Sequence, residues 1–586
     1  MLKIFKYFEK KDWIVVAICL VLVAGQVGLD LTMPDYMSEI TRLVQTEGSK
    51  MSEIFLAGGK MLLCALGSLV LAILVGFFAA RLAAVFSKRL RHAMFSKVES
   101  FSMEEINNFS TDSLITRSTN DITQVQMLIA MGLQVMIKAP IMAVWAVTKI
   151  AGKSWQWTAT TAAAVMFLVI LILIVTLFAM PRFKRIQKLT DNLNREVREN
   201  LTGIRVVRAY NAESYQEKKF DKANAALMNN NLVAFRVMAI MNPGMSIIMN
   251  GLTLAIYWIG AYLINAAQMM DRVQIFSDMV VFSSYAMQVV MAFMMLMMIF
   301  IMLPRASVSA KRINEVLDTK ATIKDGSKTE GKAGQEGEIE FRNVSFRYPD
   351  AADYVLKNIS FKAHKGETVA FIGATGSGKS TLINLIPRFY DATEGEVFVD
   401  GVNVKEYSLE ALHNKLGVVP QRAVMFSGTV ESNVAFGDNG REGFTIEDVK
   451  KAVAIAQGTE FVEKMENQYK GSIAQGGTNV SGGQRQRLAI ARAVCRKPEI
   501  YIFDDSFSAL DYKTDRVLRE ALRKETKDTT SLIVAQRIGT IKNADRIIVL
   551  EDGEAVGIGT HEELMKNCEV YQQIALSQLS KEELAQ

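Results

Sequence analysis

Long apolar runs in the first 305 residues constrain this chain most. An α-helix needs roughly 20 apolar residues to cross a bilayer. Runs of this kind lie near 13–34, 58–86, 128–150, 157–180, 239–265 and 276–303. The basic start MLKIFKYFEKKD resembles that of a signal peptide, but the apolar run after it is too long and lacks a small-residue cleavage site. We therefore predict six transmembrane helices, with a short interfacial helix before the first.

Composition excludes several other classes of protein. Half of the residues are hydrophobic and only 9 are proline, so the chain is not intrinsically disordered. The four cysteines are scattered and form no CxxC pair, which argues against a disulfide scaffold and a structural zinc site. The net charge of +6 is compatible with nucleic-acid binding. Membrane proteins also collect Lys and Arg on cytosolic loops, and the apolar runs favour that interpretation.

The placement of basic residues predicts the orientation of the helices. Segments 1–12, 87–127 and 181–236 carry four, five and twelve Lys and Arg residues, whereas the alternate connections carry one or two each. Basic connections face the cytosol, so both termini are expected there. The two long basic connections consist of helix-forming residues. We expect the membrane helices to continue into the cytosol and return.

Polar and sulfur-containing residues inside the spans admit two interpretations each. Asp30 and Lys138 are costly against lipid, so each either belongs to a substrate pathway or is paired or near a helix end. The last span is rich in methionine, which suits a wall that accepts varied apolar ligands and equally serves to fill gaps in packing. These methionines are Met279, Met287, Met291, Met294, Met295, Met297, Met298 and Met302.

The residue composition and the hydrophobic pattern of the chain change after the last span. Residues 305–318 have an amphipathic helical pattern, and 319–338 are polar and glycine-rich, which indicates a linker. From Ile339, short β-rich runs alternate with helical stretches, which predicts an α/β domain. We therefore predict a transmembrane domain over 1–318, a linker over 319–338 and a soluble domain over 339–586.

A glycine-rich segment in the soluble half has the pattern G-x4-G-K-[ST] between a strand-like run, TVAFI, and a helix-like run, KSTLINLIPRF. In such a P-loop the backbone N–H groups turn toward phosphates, and the helix N-terminus adds positive potential. Lys379 is expected to reach the β- and γ-phosphates, and the Ser380 hydroxyl to bind Mg²⁺. The predicted ATP-binding residues of this loop are Gly373, Thr375, Gly376, Ser377, Gly378, Lys379, Ser380 and Thr381.

An acidic strand complements this loop. The run YIFDD ends in Asp504 and Asp505. P-loop enzymes hold Mg²⁺ with an Asp at the end of a buried strand, so Asp504 is the second predicted metal ligand. An ordinary strand ending at a turn is the alternative, and the neighbouring P-loop disfavours it.

Between the P-loop and this strand lies VSGGQRQR, residues 480–487. With this signature the chain resembles ATP-binding cassette (ABC) transporters, and with six spans in front it resembles a half-transporter of the multidrug exporter type (type IV fold). The resemblance implies a membrane all-α six-helix transmembrane domain fused to a soluble α/β P-loop (ABC ATPase) domain. Members of the family dimerise around two ATP molecules, each held between one chain's P-loop and the other chain's signature. The signature residues that would act on the partner's ATP are Ser481, Gly482, Gly483 and Gln484.

The resemblance implies further roles residue by residue. Tyr348 in SFRY matches the aromatic that stacks on adenine, and Gln421 in VVPQ matches the glutamine that touches Mg²⁺ and senses the membrane half. Ser508 to Asp511 match the D-loop. Segments NNFSTDSLITRSTNDI and RENLTGIRVVRAYNAE resemble the intracellular loops of multidrug-type exporters.

Two positions depart from the family's pattern. Where the family usually has a Glu that acts as general base, this chain has Asp505, and where it usually has a switch His, this chain has Gln536. The shorter carboxylate is pulled back by about 1.5 Å, and Gln accepts no proton and carries no charge. We therefore predict a site that binds ATP and hydrolyses it poorly. The intact signature would complete the site of a related subunit, so the resemblance is to bacterial heterodimeric exporters with one degenerate site.

The function expected from the resemblance is ATP-driven export of amphipathic or apolar compounds (a xenobiotic-transporting ATPase) at the cell membrane, with ATP and Mg²⁺ as cofactors. The expected partners are a related half-transporter, the bilayer and hydrophobic small molecules, with no nucleic acid. A lipid or peptide exporter and an ATP-binding regulatory membrane protein are the alternatives. The six spans argue against a soluble ABC protein.

Overall fold

The fold is described here from a computed structural model, which covers residues 2–46, 48–151, 154–268, 271–440 and 443–578. The chain divides into two compact units. The first comprises the residues up to Val98 together with Asp112–Thr319, and the second comprises Glu99–Thr111 together with the chain from Lys320 onward. The short segment 99–111 thus clusters with the residues after the last predicted span.

Within the described residues, the first unit contains helices and no strand. A 3₁₀ helix, Leu2–Tyr7, precedes the long helices. The helices from the start of the chain to residue 318 are α1 (Lys10–Gln45), α2 (Met51–Glu99), α3 (Met103–Phe109), α4 (Thr111–Thr116), a π-helical turn (Arg117–Asp121), α5 (Ile122–Ala151), α6 (Trp155–Thr202), α7 (Ile204–Ala209), α8 (Glu213–Ala239), α9 (Met241–Ala266) and α10 (Arg272–Asp318).

Among the described residues, six helical segments are long and apolar enough to cross a bilayer, which confirms the six predicted spans. Three helices run well beyond the predicted apolar limits: α2 to Glu99, α6 to Thr202 and α10 to Asp318. Helices satisfy every backbone hydrogen bond within one segment, which is the requirement that lipid imposes on a spanning chain. The expectation that the membrane helices continue beyond the spans therefore agrees with the observed helix lengths.

Asp30 and Lys138 pair with each other inside the first unit. The Lys138 Nζ atom lies 3.0 Å from Asp30 Oδ2, and the Ser68 hydroxyl donates to Asp30 Oδ1 at 2.5 Å. Both charged side chains are about one-fifth exposed. The pair joins α1 to α5, which is what the paired alternative predicts for these two residues.

A second polar group ties α1 to the same neighbours. Asp35 accepts hydrogen bonds from Lys149 at 2.7 Å and from the Tyr285 hydroxyl at 2.6 Å. The Tyr285 hydroxyl also lies within hydrogen-bond distance of the Leu31 carbonyl. Charges on α1 are therefore neutralised by α5, and a tyrosine of α10 completes the contact.

The methionines of α10 differ in their surroundings. Met279 is buried and packs on Gly260 of α9, where a methyl group on the glycine would collide with the Met279 sulfur. Met291 is 41% exposed. The side chains of Met297 and Met298 lie outside the described residues. Met279 thus fills a gap between helices, as methionine commonly does, and Met291 is open to a ligand or to lipid.

The second unit contains two main sheets. Its strands are β1 (Ile339–Phe346), β2 (Leu356–Ala363), β3 (Thr368–Gly373), β4 (Glu394–Val399), β5 (Val402–Asn403), β6 (Leu416–Val419), β7 (Gly428–Thr429), β8 (Ser472–Ile473), β9 (Ile500–Asp504), β10 (Thr530–Val534), β11 (Arg546–Glu551) and β12 (Glu554–Gly559). β1, β2, β4 and β5 form an antiparallel sheet, and a six-stranded sheet has the order β12-β11-β3-β10-β9-β6. Only β12 runs antiparallel in the larger sheet, so the α/β fold class predicted for this half is confirmed.

The second unit also contains ten helices among the described residues that follow β3. They are α11 (Lys379–Asn384), α12 (Leu409–Lys415), α13 (Val430–Val434), α14 (Ile446–Ile455), α15 (Thr459–Glu463), α16 (Gly482–Cys495), α17 (Tyr512–Glu525), α18 (Ile538–Ile541), α19 (His561–Asn567) and α20 (Glu569–Gln578), with 3₁₀ turns at Gln468–Lys470 and Gln475–Gly477. The central strands β3 and β9 are buried on both faces, which explains their continuous apolar runs.

The segment 319–338, predicted as a linker, is hydrogen-bonded to the α/β domain. The Lys332 amide donates to the Asp400 carbonyl at 2.9 Å, and the Gly337 amide donates to the Asp400 carboxylate at 2.7 Å. Asp400 is fully buried and pairs with Lys415 at 2.7 Å, and its burial raises its pKa to about 6.

The Asp30–Lys138 pair gives a test of the first unit. In Asp30→Asn the Lys138 ammonium loses its counter-charge in an apolar setting, so we expect a loss of roughly 3 kcal/mol in stability. The double variant with Lys138→Gln should recover most of this loss because neither charge remains. Thermal unfolding of the full chain in detergent measures both effects.

The matched control is Glu460→Gln, which breaks the exposed ion pair with Lys464 and should cost less than about 1 kcal/mol. A double variant no more stable than Asp30→Asn alone would show that the two charges are not coupled.

Candidate functional site

The P-loop, residues 373–381, joins β3 to α11. Gly378 has φ +93° and precedes α11, and a Cβ atom there would lie 2.9 Å from the Val355 carbonyl oxygen. Gly373 lies against the Leu550 carbonyl of the neighbouring strand. Thr375 and Gly376 form the exposed tip of the loop, while Ser377 is buried. The glycines thus allow a tight turn whose backbone stays close to the sheet.

Lys379 is held inside this loop. Its ammonium donates to the Gly373 carbonyl at 2.9 Å, to the Ala374 carbonyl at 2.7 Å and to the Ser377 hydroxyl at 3.2 Å. The side chain is 9% exposed, and burial lowers its pKa. A cation lies at the N-terminus of α11, where the helix dipole also favours anions. The loop therefore presents two sources of positive potential to a phosphate group.

Ser380 and Asp504 meet beside the loop. The Ser380 hydroxyl donates to Asp504 Oδ1 at 2.9 Å. Asp504 ends β9, and burial raises its pKa, with the nearby Asp505 charge adding to the effect. A hydroxyl and a carboxylate are hard oxygen donors, which suit Mg²⁺ when phosphate oxygens and water supply the rest of its shell. The donor set fits the expected metal.

Asp505 and Gln536 are hydrogen-bonded to each other. The Gln536 side-chain amide donates to Asp505 Oδ2 at 3.0 Å. Asp505 follows β9, Gln536 follows β10, and these strands pair in parallel with Val534 opposite Asp504. Asp505 is 9% exposed and has φ +46°. The two residues that depart from the family's pattern are therefore brought together at one edge of the sheet.

The charge of Asp505 is set by opposing effects. Burial raises its pKa, and hydrogen bonds with Ser508 and Gln421 partly offset that rise. Gln421 is itself exposed. The structure thus brings Gln421 to the same carboxylate as Gln536, so two amide side chains converge on Asp505.

Tyr348 lies beside the P-loop helix. Its hydroxyl is 3.0 Å from the Thr381 hydroxyl, and Thr381 is buried. The ring is half-buried against the aromatic cluster at the end of β1. The tyrosine predicted to stack on a base therefore contacts the predicted phosphate-binding segment.

The signature residues form a separate surface. Ser481 caps α16: its hydroxyl accepts from the Gln484 amide at 3.3 Å, while the Gln484 side chain accepts from the Ser481 amide at 2.8 Å. Ser481 and Gly482 are exposed, and Gly483 is half-buried. In the described part of the chain, no hydrogen bond joins these residues to the P-loop.

The D-loop residues serve local structure. Asp511 caps α17 by accepting from the Thr514 amide at 3.0 Å, and this bond lowers its pKa. The Ser508 hydroxyl donates to the Asp505 carbonyl at 2.9 Å. Asp511 therefore orients the start of a helix, and Ser508 supports the loop that carries Asp505.

Sequence reasoning missed one contact near the site. The Asn107 side-chain amide of α3 donates to the Tyr390 hydroxyl at 3.0 Å, and Tyr390 packs against Tyr348. The two residues are 283 positions apart. A tyrosine after the P-loop helix and an Asn between two predicted spans carry no spacing that signals such a contact.

Comparisons with known proteins agree with this arrangement. Residues 16–293 match the ABC transporter transmembrane region, and residues 356–508 match the ABC transporter family. The chain is 41% identical over 465 residues to an ABC transporter ATP-binding protein of Mycobacterium tuberculosis, covering 79% of each. It is 38% identical over 475 residues to YfiB of Bacillus subtilis, covering 80% of each.

Two further similarities are more distant. The chain is 31% identical over 451 residues to an ATP-dependent lipid A-core flippase of Pseudomonas fluorescens, covering 77% of this chain and 73% of the flippase. Its fold is similar to that of a bacterial Atm1-family ABC exporter with ATP bound, with a TM-score of 0.80 and 22% identity over 97% of this chain and 98% of the exporter. That structure supports the fold alone.

Asp504 supplies a test of the metal site. In Asp504→Asn the Mg²⁺-dependent part of ATP binding should weaken by at least about tenfold, because a charged oxygen ligand is lost. Titration of the full chain with a fluorescent ATP analogue, with Mg²⁺ and with EDTA, measures that part separately. The control is Asp545→Asn, an exposed carboxylate that accepts from the Thr368 amide at the other end of β3. Equal losses in both variants would refute a metal role for Asp504.

Proposed function

Because this chain belongs to the ABC transporter family, we propose that it is one subunit of an ATP-driven exporter and that its own nucleotide site binds ATP but hydrolyses it slowly. The ABC domain binds ATP, normally with Mg²⁺. The observation that carries the proposal is the hydrogen bond from Gln536 to Asp505 beside an intact P-loop.

The binding half of the proposal rests on the P-loop. Lys379 and the α11 N-terminus would hold the β- and γ-phosphates, and Ser380 and Asp504 would hold Mg²⁺. Tyr348 would stack on the adenine, and Thr381, beside it, would face the phosphates. Gln421 would approach the metal from the Asp505 side. These contacts support nucleotide binding, and apart from that of Gln421 they do not involve the altered residues.

The proposal of slow hydrolysis depends on how far the Asp505 carboxylate reaches and on the missing charge at Gln536. A general base must lie within hydrogen-bond distance of the attacking water, and Asp505 is about 1.5 Å shorter than the usual Glu. Burial raises the pKa of Asp505, which makes the carboxylate a stronger base. That gain does not restore reach, and Oδ2 is already occupied by the Gln536 amide. Gln536 in turn cannot carry the positive charge of a protonated His.

The exposed signature supports a heterodimer. Dimerisation is a property of ABC half-transporters, and Ser481 and Gly482 are open to a partner at the N-terminus of α16. Such an N-terminus suits a phosphate group. Two copies of this chain would form two slow sites, whereas a related subunit with Glu and His would form one fast site with this signature.

An apolar surface of the first unit supports the proposed substrate class. A groove of about 590 Å³ lies between α6 and α9, lined by Phe167, Ile170, Ile247, Leu252 and other apolar side chains. Such a lining suits amphipathic or apolar compounds, so we propose a multidrug type of substrate. The similarity to a lipid A-core flippase favours a lipid as the second candidate. Uptake of labelled compounds and of labelled lipid into inverted vesicles separates the two, and transport of neither would favour a regulatory protein.

The chain also has a proposed orientation in the membrane. The six spans make the chain a multi-pass membrane protein. The basic connections predict that both termini and the ATPase domain face the cytosol of a cell-membrane exporter. ATP is available on that side.

A gain-of-function variant tests the two altered residues. Asp505→Glu with Gln536→His should raise ATP turnover of the purified chain by at least roughly tenfold, since a positioned base contributes 10²–10⁴-fold. The measurement is phosphate release at saturating ATP. Adding Lys379→Ala to the double variant is the control, because it should remove the gain if the gain arises at this site. Unchanged turnover would place the defect elsewhere.

The proposed heterodimer is tested by comparing variants at the two predicted nucleotide sites of the complex. In the complex with the copurifying subunit, Ser481→Arg should reduce hydrolysis by at least roughly 100-fold, because this signature serves the fast site. Lys379→Ala should reduce it much less. Phosphate release from the reconstituted complex gives both values. Brisk turnover by the isolated chain, or equal losses in the two variants, would contradict the heterodimer.

A further inference from the structure

Three aromatic rings form a cluster between the P-loop and segment 99–111. Tyr390 lies edge-to-face on Tyr348, with ring centroids 5.3 Å apart and planes at 88°. Phe346 contacts both rings, at 4.9 Å from Tyr348 and 5.6 Å from Tyr390. Edge-to-face pairs have a preferred geometry and stabilise by about 0.5–1.5 kcal/mol. The position of one ring therefore constrains the others.

One end of this cluster is attached to the P-loop. The Tyr348 hydroxyl lies 3.0 Å from that of Thr381, which follows Ser380 in α11. No other hydrogen bond of the Tyr348 hydroxyl is found among the described residues. Thr381 thus fixes the tip of Tyr348 in this arrangement.

The other end is attached to α3. The Asn107 side-chain amide donates to the Tyr390 hydroxyl at 3.0 Å. In sequence, α3 lies between α2 and α5, two of the helices long enough to cross a bilayer. Movement of Tyr390 would thus act on the segment that links two membrane helices.

Further bonds hold α3 and Tyr390 in place on each side. Glu105 is 97% buried and accepts from the Ser102 amide at 2.8 Å and from the Thr322 amide at 2.9 Å. Arg388, two residues before Tyr390, donates to the Lys324 carbonyl at 2.9 Å and to Asp391 at 2.8 Å. The surroundings are fixed, so the ring contact and the Asn107 bond are the adjustable elements between Tyr348 and α3.

We infer that Tyr390 is a positioning residue that transmits nucleotide occupancy at Tyr348 to α3. The inference rests on the proposed stacking of adenine on Tyr348. Stacking of the base on the face of Tyr348 would shift this ring, and with it the hydroxyl that meets the Thr381 hydroxyl. The edge-to-face contact would then shift the Tyr390 ring. Because Asn107 of α3 is hydrogen-bonded to the Tyr390 hydroxyl, α3 would shift with it.

Thermodynamic linkage makes the coupling reciprocal. If nucleotide bound at Tyr348 changes the equilibrium between the held and released forms of α3, then release of α3 changes nucleotide affinity by the same factor. A change in the membrane helices that pulls on segment 99–111 would therefore alter ATP binding through Tyr390.

Hydrogen exchange of α3 tests this inference. The full-length chain with its copurifying subunit, in lipid nanodiscs, is compared with and without ATP and Mg²⁺. In the native protein, amides of Met103–Phe109 should exchange about threefold more slowly with nucleotide, the size expected of one aromatic contact. In Tyr390→Phe, which keeps the ring and deletes the hydroxyl, this nucleotide-dependent difference should disappear. Nucleotide affinity, measured in parallel, should change by less than about threefold because Tyr348 itself is retained.

Asn107→Ala removes the same hydrogen bond from the other side, so the double variant with Tyr390→Phe should show no further loss. The matched control is Tyr354→Phe, which deletes the bond from an exposed tyrosine hydroxyl to Glu394 in the same unit and should leave the difference intact.

Three results would overturn the inference: an unchanged difference in Tyr390→Phe, exchange that rises equally with and without nucleotide, or native protein that binds ATP with no change in α3. The second of these would show a purely structural role for the hydroxyl. Failure of the native protein to bind ATP at all is seen directly in the affinity measurement and would instead refute the proposed nucleotide site on which the inference rests.

Discussion

The parallel pairing of β3, β10 and β9 is the constraint on which the nucleotide site depends. The carboxyl ends of parallel strands open at one edge of a sheet, and ligands bind there in α/β folds. β10 lies between β3 and β9, so the P-loop, the Asp504–Asp505 pair and Gln536 all emerge at this edge. Any shift in register would separate Ser380 from Asp504 and Gln536 from Asp505.

This edge combines a well-formed P-loop with a carboxylate of short reach at the position of the general base. Lys379 and Ser380 have the partners that a P-loop requires. Asp505 is short, buried and hydrogen-bonded to an amide that cannot hold charge. In the proposed function the same sheet binds ATP and cleaves it slowly, and the difference from a fast site lies in two side chains rather than in the fold.

Sequence reasoning predicted much of this architecture because its signals are local. Apolar length predicted the six spans, and the P-loop pattern predicted a turn between a strand and a helix, as found for β3 and α11. The span predicted at 157–180 lies within a helix of Trp155–Thr202, in agreement with the expected continuation of the membrane helices, because helical propensity continues after apolarity ends.

Contacts between distant parts of the sequence were beyond such reasoning. The pairing of Asp30 with Lys138 was one of two open alternatives, since a charge in a span does not reveal its partner. The bonds of Tyr348 with Thr381 and of Tyr390 with Asn107 depend on how loops pack, and no periodicity encodes that packing. Tests of the central claim must therefore act on the assembled site. The most direct measurement identifies the nucleotide bound to this chain during turnover. The complex is allowed to hydrolyse radiolabelled 8-azido-ATP and is then crosslinked by light. The nucleotide attached to each subunit is identified as triphosphate or diphosphate. The account predicts mainly unhydrolysed triphosphate on the P-loop side of this chain and diphosphate on its partner, and equal diphosphate on both would contradict it.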